Sequence, residues 1–550
     1  MSRTLLHSQG KNDDRPNTRT YGYNKPLRNV FSFNGYGFTC RGPSGAVSLK
    51  PLVELEMTRL SAELRRKSSW WTKCRDEMIL SRWREEALAQ ATLMDESHVD
   101  YVLKELDGYA NLRDEVSGAE VSCYDMIWQS DTLIPVGLKE QLVVSAAKLE
   151  GVPESEKDWH PCSNGQVLNL VHPSLYPIVY GRTLSYPEDS DDRSPTALQL
   201  RLKPLRFQWL PTDFKISEDG KSVKAVSYIN NLHPLENAEL YKMIEGIIAA
   251  YIPLFERVLT DSILENNVIP ERTHNGYSYD EDGYRPTPEL DDSNYEEFDQ
   301  LYEEWEEGRP IVLPYIREGG YKLGSLEERT VRYTLDGRTI QVIVKLANIH
   351  LTPEKPKYDG GSWHVEGMLS EAIAASGIYY YDEENITESR LYFRASASPG
   401  PSPISGEYRD GPTVNDLGAV ITCQDRCIAF PNTYQHRVSS FELADKSKPG
   451  HRKIVALFLI DPANHRPSTT TVPPQQKKWR TSGITANPIL KAAFNKLSPE
   501  ILDHIDSMVD GSMTRTEAEA YRLELMDERK AFVHKNGRRY FKPLFNMCEH

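Results

Sequence analysis

The spacing of apolar residues divides the chain into a helical first part, a β-rich second part and a helical end. Between Leu52 and Leu112 apolar side chains recur every three or four positions, as in LVELEMTRLSAELRRKSSWWTKCRDEMIL. The segment LENAELYKMIEGIIAAYIPLFERVLTD, residues 235–261, keeps this spacing throughout and predicts one long helix. Near the C-terminus, Thr514 and Glu517 form a capping-box pattern that predicts the start of another helix.

Short apolar runs separated by turn residues dominate residues 311–462. Roughly eight or nine of them have the composition of strands, among them RTIQVIVKLANIHLTP, GIYYYD, RCIAFP and RKIVALFLID. Strands of this number and spacing predict a closed or sandwiched β domain. We therefore expect an α+β protein with a double-stranded β-helix (jelly-roll) core and extensive N- and C-terminal helical extensions.

The same patterns predict the organisation of the chain into successive segments. These are 1–50 (loop-rich arm), 51–160 (helical region), 161–275 (mixed α/β support of the core), 276–310 (acidic insertion), 311–470 (β-helix metal-binding domain) and 471–550 (C-terminal helical extension). The acidic stretch at 279–308 is expected to be a solvated insertion, because runs of like charge are usually solvated.

Composition and charge narrow the class of protein. The chain of 550 residues has a formal net charge of -15, which argues against partners such as nucleic acid or anionic membranes. No apolar run approaches the roughly 20 residues that cross a bilayer, and the N-terminus has no apolar signal core. Seven scattered cysteines favour reduced thiols. We expect a soluble intracellular protein in the cytoplasm, with the nucleus as the alternative.

The stretch GGSWHVEGM, residues 360–368, contains one of three His-x-Asp/Glu triplets in the chain. About two are expected by chance at this composition, so the triplet alone is a weak signal. The triplets at His98 and His504 lie in segments with helical spacing, where positions i and i+2 point apart. His364 and Glu366 follow a Gly-Gly turn among strands, where positions i and i+2 share a face.

A third ligand is available on a later strand. His436 lies in IAFPNTYQHRV, 72 positions after His364. Two histidines and one carboxylate form the facial triad of non-haem Fe(II) oxygenases, which leaves open coordination positions for a 2-oxoacid and dioxygen. The predicted metal ligands and catalytic residues are therefore His364, Glu366 and His436.

A 2-oxoglutarate enzyme also needs a cation for the distal carboxylate of its cosubstrate. Arg452, at the start of RKIVALFLID, is the predicted anchor, because a guanidinium pairs with a carboxylate through two parallel hydrogen bonds. Lys453 is the alternative. The two side chains point to opposite faces of a regular strand, so only one of them faces the pocket.

Two further residues are weaker candidates for the cosubstrate site. Tyr379 shares a strand face with Tyr381 and is a candidate hydrogen-bond donor to 2-oxoglutarate, with aromatic packing as the simpler explanation. Asn348, on the strand before the metal loop, is a candidate buried amide. Cys423 and Cys427 do not predict a zinc site, since a closed site normally needs four ligands and closer pairs.

Several motifs occur in order along the chain: SYINNLHP, GGSWHVEGM, GIYYYDEENITESRLYFR, FPNTYQHRV and GHRKIVALFLIDP. Together they resemble a large family of fungal proteins classed as a domain of unknown function, over about residues 50–545. That family is similar to the 2-oxoglutarate/Fe(II) oxygenase superfamily and its double-stranded β-helix. The resemblance implies iron at His364, Glu366 and His436, and 2-oxoglutarate at Arg452.

We therefore expect an Fe(II)/2-oxoglutarate-dependent dioxygenase that hydroxylates an amino-acid-like, peptidyl or small-metabolite substrate. Two alternatives remain open. One is a cupin-like metal enzyme that shares the triad but does not use 2-oxoglutarate. The other is a non-enzymatic interaction scaffold in which the β domain carries a relic site. The sequence identifies neither the substrate nor the oligomeric state.

Overall fold

The computed structural model describes most of the helical and β-rich segments of the chain. The described residues are 50–187, 195–199, 205–274, 314–398, 414–479 and 511–541, with short stretches at 19–20, 47–48, 278–279, 300–301, 304, 311–312, 496–498 and 500–501. The predicted arm at 1–50 and the acidic stretch at 279–308 lie almost wholly outside these residues, as does His504.

The helices with described bounds lie before residue 262 and at the C-terminal end. They are α1 (Leu52–Arg65), α2 (Trp70–Lys73), α3 (Glu77–Gln90), α4 (Glu96–Leu112), α5 (Val136–Glu150), α6 (Ala238–Asp261) and α7 (Arg515–Asn536). The predicted capping box at the start of α7 is confirmed: Thr514 Oγ1 accepts from the Glu517 backbone N–H, and the Glu517 carboxylate accepts from the Thr514 backbone N–H. None of the described helices combines the length and apolar character needed to span a bilayer.

Strands occupy most of the middle of the chain. The first twelve are β1 (Arg19–Thr20), β2 (Val47–Ser48), β3 (Glu120–Val121), β4 (Trp128–Ser130), β5 (Asp158–Trp159), β6 (Val167–Val171), β7 (Ile178–Val179), β8 (Leu184–Ser185), β9 (Thr196–Ala197), β10 (Phe207–Gln208), β11 (Thr212–Ile216) and β12 (Val223–Ala225). The remainder are β13 (Ser278–Tyr279), β14 (Ile311–Val312), β15 (Val331–Arg332), β16 (Thr339–Leu351), β17 (Lys357–Tyr358), β18 (Ile373–Glu384), β19 (Ser389–Ser398), β20 (Val414–Thr422), β21 (Cys427–Pro431), β22 (Gln435–Val438), β23 (Phe441–Glu442) and β24 (Gly450–Ile460).

A large antiparallel sheet forms the centre of the described structure. Its strands lie in the order β12-β11-β16-β24-β18-β21-β4-β3, and β6 also pairs with β16 and carries β5 at its edge. The long central pair, β16 with β24, runs in register from Val342 opposite Leu459 to Leu351 opposite Gly450. Strands formed by residues before position 276 thus extend the large sheet on both sides of the strands that come from the β-rich segment. The fold is therefore a mixed α/β arrangement around one large sheet.

Helix α6 covers the outer face of this sheet. It is amphipathic: its apolar face is buried against the sheet, while polar residues such as Glu239 and Lys242 lie on the exposed side. A Cβ atom at Gly377 of β18 would lie 2.7 Å from the Tyr251 ring, so the glycine allows the helix to approach the strand closely. The apolar residues between α6 and the sheet, including Val344 and Leu346, form what we call the outer cluster.

A smaller sheet faces the inner side of the large one. It contains β2, β19 and β20 in that order, with β22 also paired to β19, while β17 pairs separately with β23. An inner cluster fills the space between the sheets, with residues from the large sheet and from the small one: Tyr380, Ile428, Phe430, Leu391, Phe393, Leu417 and Val420. An end cluster, which includes Ile343, Ala456 and Phe458, continues along the same inner face.

Candidate metal centre

Three predicted side chains meet at one point beside the small sheet. Ligand atoms of His364, Glu366 and His436 all lie within 4.8 Å of one another. Nε2 of His364 is 3.6 Å and Nε2 of His436 is 3.4 Å from Oε1 of Glu366. Donors bound side by side to one ion at about 2.1 Å lie about 3 Å apart, so a small shift would fit all three to a single ion. Within the described part of the chain, no other group of three His, Cys, Asp or Glu is arranged in this way.

The backbone brings the two histidines together. His364 N donates to His436 O at 3.1 Å and His436 N donates to His364 O at 2.9 Å, which makes an isolated antiparallel bridge. Residues paired in this way have neighbouring side chains on one face, and the two imidazole centroids lie 4.4 Å apart. The two histidines, which are 72 positions apart in the chain, are therefore in direct contact.

The Gly-Gly turn makes this bridge possible. Gly360 has a φ of 88°, and a Cβ atom there would lie 2.7 Å from the carbonyl oxygen of Val438, the last residue of β22. Gly361 N then donates to the same carbonyl at 3.0 Å. Only glycine combines this conformation with so close an approach to the neighbouring backbone.

Each histidine is fixed by its own surroundings. Nδ1 of His364 lies 2.7 Å from the Ser362 carbonyl oxygen, which requires a proton on Nδ1 and leaves Nε2 free to bind a metal. The His436 ring is buried against Phe430, at 4.8 Å between centroids, and against Phe393, which lies opposite it on β19. His436 is therefore held rigidly, whereas the His364 side chain remains 36% exposed.

The electrostatics of the site favour an ionised carboxylate. Burial raises the pKa of Glu366, but the hydrogen bonds and charges of His364 and His436 outweigh it and hold this pKa well below its usual range. Burial, together with the neighbouring His364, lowers the pKa of His436. An anionic carboxylate beside the neutral His436 imidazole supplies two of the donors that a divalent cation requires. At His364, burial lowers the pKa but the hydrogen bond and charge of Glu366 outweigh it and raise this pKa, so a metal would have to displace a proton there.

Arg452, the predicted anchor for 2-oxoglutarate, is already paired and lies away from the triad. Arg452 faces inward, but Nε and Nη2 donate to Glu383 at 3.0 and 2.8 Å, and Nη1 donates to Ser389. Every guanidinium nitrogen is therefore already bound. Ser389 lies four residues from Phe393 on β19, which places this group about 13 Å along the strand from the position opposite His436.

The remaining candidates point away from the triad. Lys453 is on the outer face and pairs with Asp382 at 3.1 Å and Glu150 at 3.3 Å. Tyr379 and Tyr381 belong to the outer cluster next to α6, so the packing explanation accounts for them. Asn348 lies on the same outer side, where its Oδ1 accepts from the Tyr381 hydroxyl at 3.4 Å.

Sequence reasoning missed two cations near the triad. Lys345 lies on the inner face of β16, and Arg529 reaches over from α7, where it stacks on Trp209 at 3.6 Å and pairs with Glu371. The charge of Glu366 acts on the pKa of both residues. A lone lysine inside the apolar strand QVIVKLANI is a signal that the sequence did contain.

Comparison with known protein families assigns most of the chain to one family. Residues 96–483 match the family described as "Protein of unknown function (DUF4246)", and residues 20–86 match "Domain of unknown function DUF4246, N-terminal". The chain belongs to the DUF4246 family. The predicted resemblance to a family of unknown function is thereby confirmed. None of the curated proteins matches the chain.

Solved structures give only distant similarities to this DUF4246 protein. The Fe(II)/(alpha)ketoglutarate-dependent dioxygenase TqaL is 8% identical, with a TM-score of 0.23 over 72% of this chain and 91% of that one. IDO from Bacillus thuringiensis is 11% identical, with a TM-score of 0.16 over 22% and 45%. Bacillus subtilis oxalate decarboxylase is 11% identical, with a TM-score of 0.12 over 32% and 36%. At these TM-scores the similarities decide neither fold nor activity.

Proposed function

We propose that this DUF4246 protein is a non-haem Fe(II) oxygenase that uses 2-oxoglutarate as cosubstrate. The observation that carries the proposal is the convergence of His364, Glu366 and His436, with their ligand atoms within 4.8 Å of one another. Two imidazoles and one carboxylate on one side of an ion are the donor set of this class of enzyme. The open side of the ion would accept the oxoacid and dioxygen.

The order of the strands supports a double-stranded β-helix as the core. The chain crosses repeatedly between the two sheets: β16, β18, β21 and β24 lie in the large sheet, and β19, β20 and β22 in the small one. The segment from β17 to His364 runs beside β23 and β22 and completes the second layer. Eight strands in two facing layers are the arrangement of a jelly roll.

The residues of the chain would hold and shield the iron. Bound Fe(II) would supply the redox chemistry by which dioxygen and 2-oxoglutarate give succinate, CO2 and an oxidised substrate. Glu366 neutralises part of the charge of the ion, while Phe393 and Phe430 exclude water from the side of His436. We propose an amino-acid-like, peptidyl or small-metabolite substrate, with hydroxylation as the outcome.

A second candidate is a metal enzyme that uses the same triad without an oxoacid. The pairing of Arg452 with Glu383 favours it, because the anchor predicted from the sequence is already neutralised. The two candidates differ in one measurable product, since only the first forms succinate from 2-oxoglutarate.

Anaerobic reconstitution of the full-length protein with Fe(II) tests the proposal. We expect one iron per chain, a weak visible charge-transfer band on addition of 2-oxoglutarate, and succinate on admission of air. His364→Ala and Glu366→Ala should abolish all three signals. His451→Gln is the matched control, because His451 pairs with Asp382 at 3.0 Å and takes no part in the triad.

The possible results separate the candidates. Stoichiometric iron with neither band nor succinate would support the enzyme that does not use 2-oxoglutarate. Well-folded protein that binds no iron would instead support a scaffold with a relic site.

A further inference from the structure

Lys345 lies in the middle of β16 with its side chain on the inner face of the large sheet. Val344 and Leu346, its neighbours in the strand, belong to the outer cluster against α6. Ile343 belongs to the end cluster on the inner face, together with Ala456 and Phe458 of β24. Side chains two positions apart in a strand share a face, so Lys345 points to the side where the triad lies.

The ammonium group of Lys345 has no partner among the described residues. No hydrogen bond or ion pair joins it to another side chain there, although it is partly buried. Other buried cations are neutralised: Arg272 by Glu105, Arg452 by Glu383 and Arg522 by Asp158. At a partly buried position an ammonium without a counter-ion loses part of its hydration, and an anionic ligand would replace that loss.

The strand pairing places small side chains beside Lys345. Lys345 lies directly opposite Ala456 of β24, and the next inward residue of β16 is Ala347. On the other edge of β16, Asn169 of β6 lies opposite Ala347, and no described residue forms a hydrogen bond with its buried Oδ1. Small side chains and an unsatisfied amide are typical of the wall of a polar ligand site.

The charges around Lys345 connect it to the triad. Burial lowers the pKa of Lys345 while the Glu366 carboxylate opposes that shift, so the two groups interact. Arg529 of α7 also acts on Lys345, and its buried Nε has no hydrogen-bond partner in the part of the chain that the structure describes. The Lys345 ammonium and the Arg529 guanidinium therefore both lie close enough to Glu366 for its charge to act on them.

We propose that Lys345 pairs with the distal carboxylate of a 2-oxodicarboxylic acid bound at the triad, with Arg529 beside it. This inference rests on the proposed function and assigns to Lys345 the role that the sequence predicted for Arg452. The 2-oxo and 1-carboxylate groups face the metal, and the second carboxylate reaches the ammonium. A monocarboxylic oxoacid such as pyruvate lacks this second group and leaves Lys345 unpaired.

Calorimetric titration of full-length protein loaded with Mn(II), which does not activate dioxygen, tests the assignment. The affinity for Mn(II) alone is measured first, and then the affinities for 2-oxoglutarate and for pyruvate. Lys345→Met should lower the affinity for 2-oxoglutarate at least about 30-fold, because it removes one partner of a desolvated ion pair. Lys345→Arg should restore most of this affinity, and the affinity for Mn(II) should not change.

Lys453→Met is the matched control, because Lys453 lies one strand away on the outer face. It should change 2-oxoglutarate affinity by less than about threefold. Pyruvate should bind the unmodified protein weakly, and its affinity should be the same for Lys345→Met. Thermal unfolding provides a check on folding, and removal of an unpaired charge should leave the melting temperature unchanged or raise it.

Two results would overturn the assignment in different ways. If Lys345→Met, folded and loaded with Mn(II), bound 2-oxoglutarate as tightly as the unmodified protein, Lys345 would not be the anchor, and the proposed oxygenase would stand. If the unmodified Mn(II) protein bound no 2-oxoglutarate, the proposed function and the assignment would both be wrong. Equal binding of pyruvate and 2-oxoglutarate would likewise exclude a role for the distal carboxylate.

Discussion

The side-chain amide of Asn432 bonds to both polar groups of the Glu366 backbone. Its Oδ1 accepts from the Glu366 N–H at 2.8 Å, and its Nδ2 donates to the Glu366 carbonyl at 2.9 Å. Asn432 is buried in the turn between β21 and β22, four residues before His436. This one amide therefore joins the loop that carries two of the proposed metal ligands to the turn before the strand that carries the third.

Replacement of this amide should loosen the metal site. Asn432→Ala leaves the N–H and the carbonyl of Glu366 without these partners, so we expect a loss of about 1–3 kcal/mol in unfolding free energy. The Mn(II) affinity should fall about 10- to 100-fold, as for other residues that orient metal ligands. Denaturant unfolding and metal titration measure the two effects.

Asn385→Ala is the control for this substitution. Asn385 Nδ2 donates to the carbonyls of Asp445, Lys448 and Pro449 in an exposed loop remote from the triad. It should lower stability without weakening Mn(II) binding. Equal effects of the two substitutions on metal affinity would show that Asn432 has no special role.

The two glycines of the metal loop should respond differently to alanine. Gly360→Ala forces a Cβ against the Val438 carbonyl at a φ of 88°, and we expect about 1–3 kcal/mol of destabilisation. At Gly361 a Cβ meets Val438 Cγ1 at an ordinary 3.5 Å, so Gly361→Ala should be nearly neutral. Denaturant unfolding and metal content of the pair test whether the turn sets the position of His364.

The two histidines that we propose as metal ligands should differ in their contribution to stability. His436 is 3% exposed and packs on Phe430, so His436→Ala leaves a cavity and should cost about 2–4 kcal/mol in the metal-free protein. His364 is 36% exposed, and His364→Ala should cost less than about 1 kcal/mol. Both variants should lose stoichiometric iron. Retention of one iron per chain by either of them would contradict the proposed triad.

Arg452 and Glu383 should behave as a structural ion pair. Glu383→Ala leaves a buried guanidinium without its counter-ion and should cost about 3–5 kcal/mol. Arg452→Met should cost less, because the Glu383 side chain is 17% exposed and keeps some hydration. Chemical denaturation measures both, with Glu388→Ala as the control at an exposed ion pair with Arg390.

Binding measurements then separate this structural role from the predicted anchoring role. Folded Arg452→Met protein loaded with Mn(II) should keep its affinity for 2-oxoglutarate. A variant of normal stability that no longer bound 2-oxoglutarate would restore Arg452 as the anchor.

The sequence by itself determined the helices, the β-rich segment and the three side chains that we propose as metal ligands. These features depend on local chemistry: helical or strand periodicity, the Gly-Gly turn before His364, and the alternation that places Glu366 on the same side. Imidazole and carboxylate donors are recognisable without coordinates, and His436 stood on a later strand with a suitable pattern. The convergence of the three is therefore close to what the sequence predicted.

Only the tertiary structure decided which cationic side chain on the inner face is already paired with a carboxylate and which is not. A bulge in β18 between Tyr380 and Asp382 shifts the register by one residue and places Glu383, instead of Asp382, opposite Arg452. The guanidinium is thereby neutralised, while Lys345, on the other neighbour of β24, has no partner among the described residues. Pairings between strands and the position of a bulge depend on long-range contacts, which leave no mark in the periodicity of any single strand.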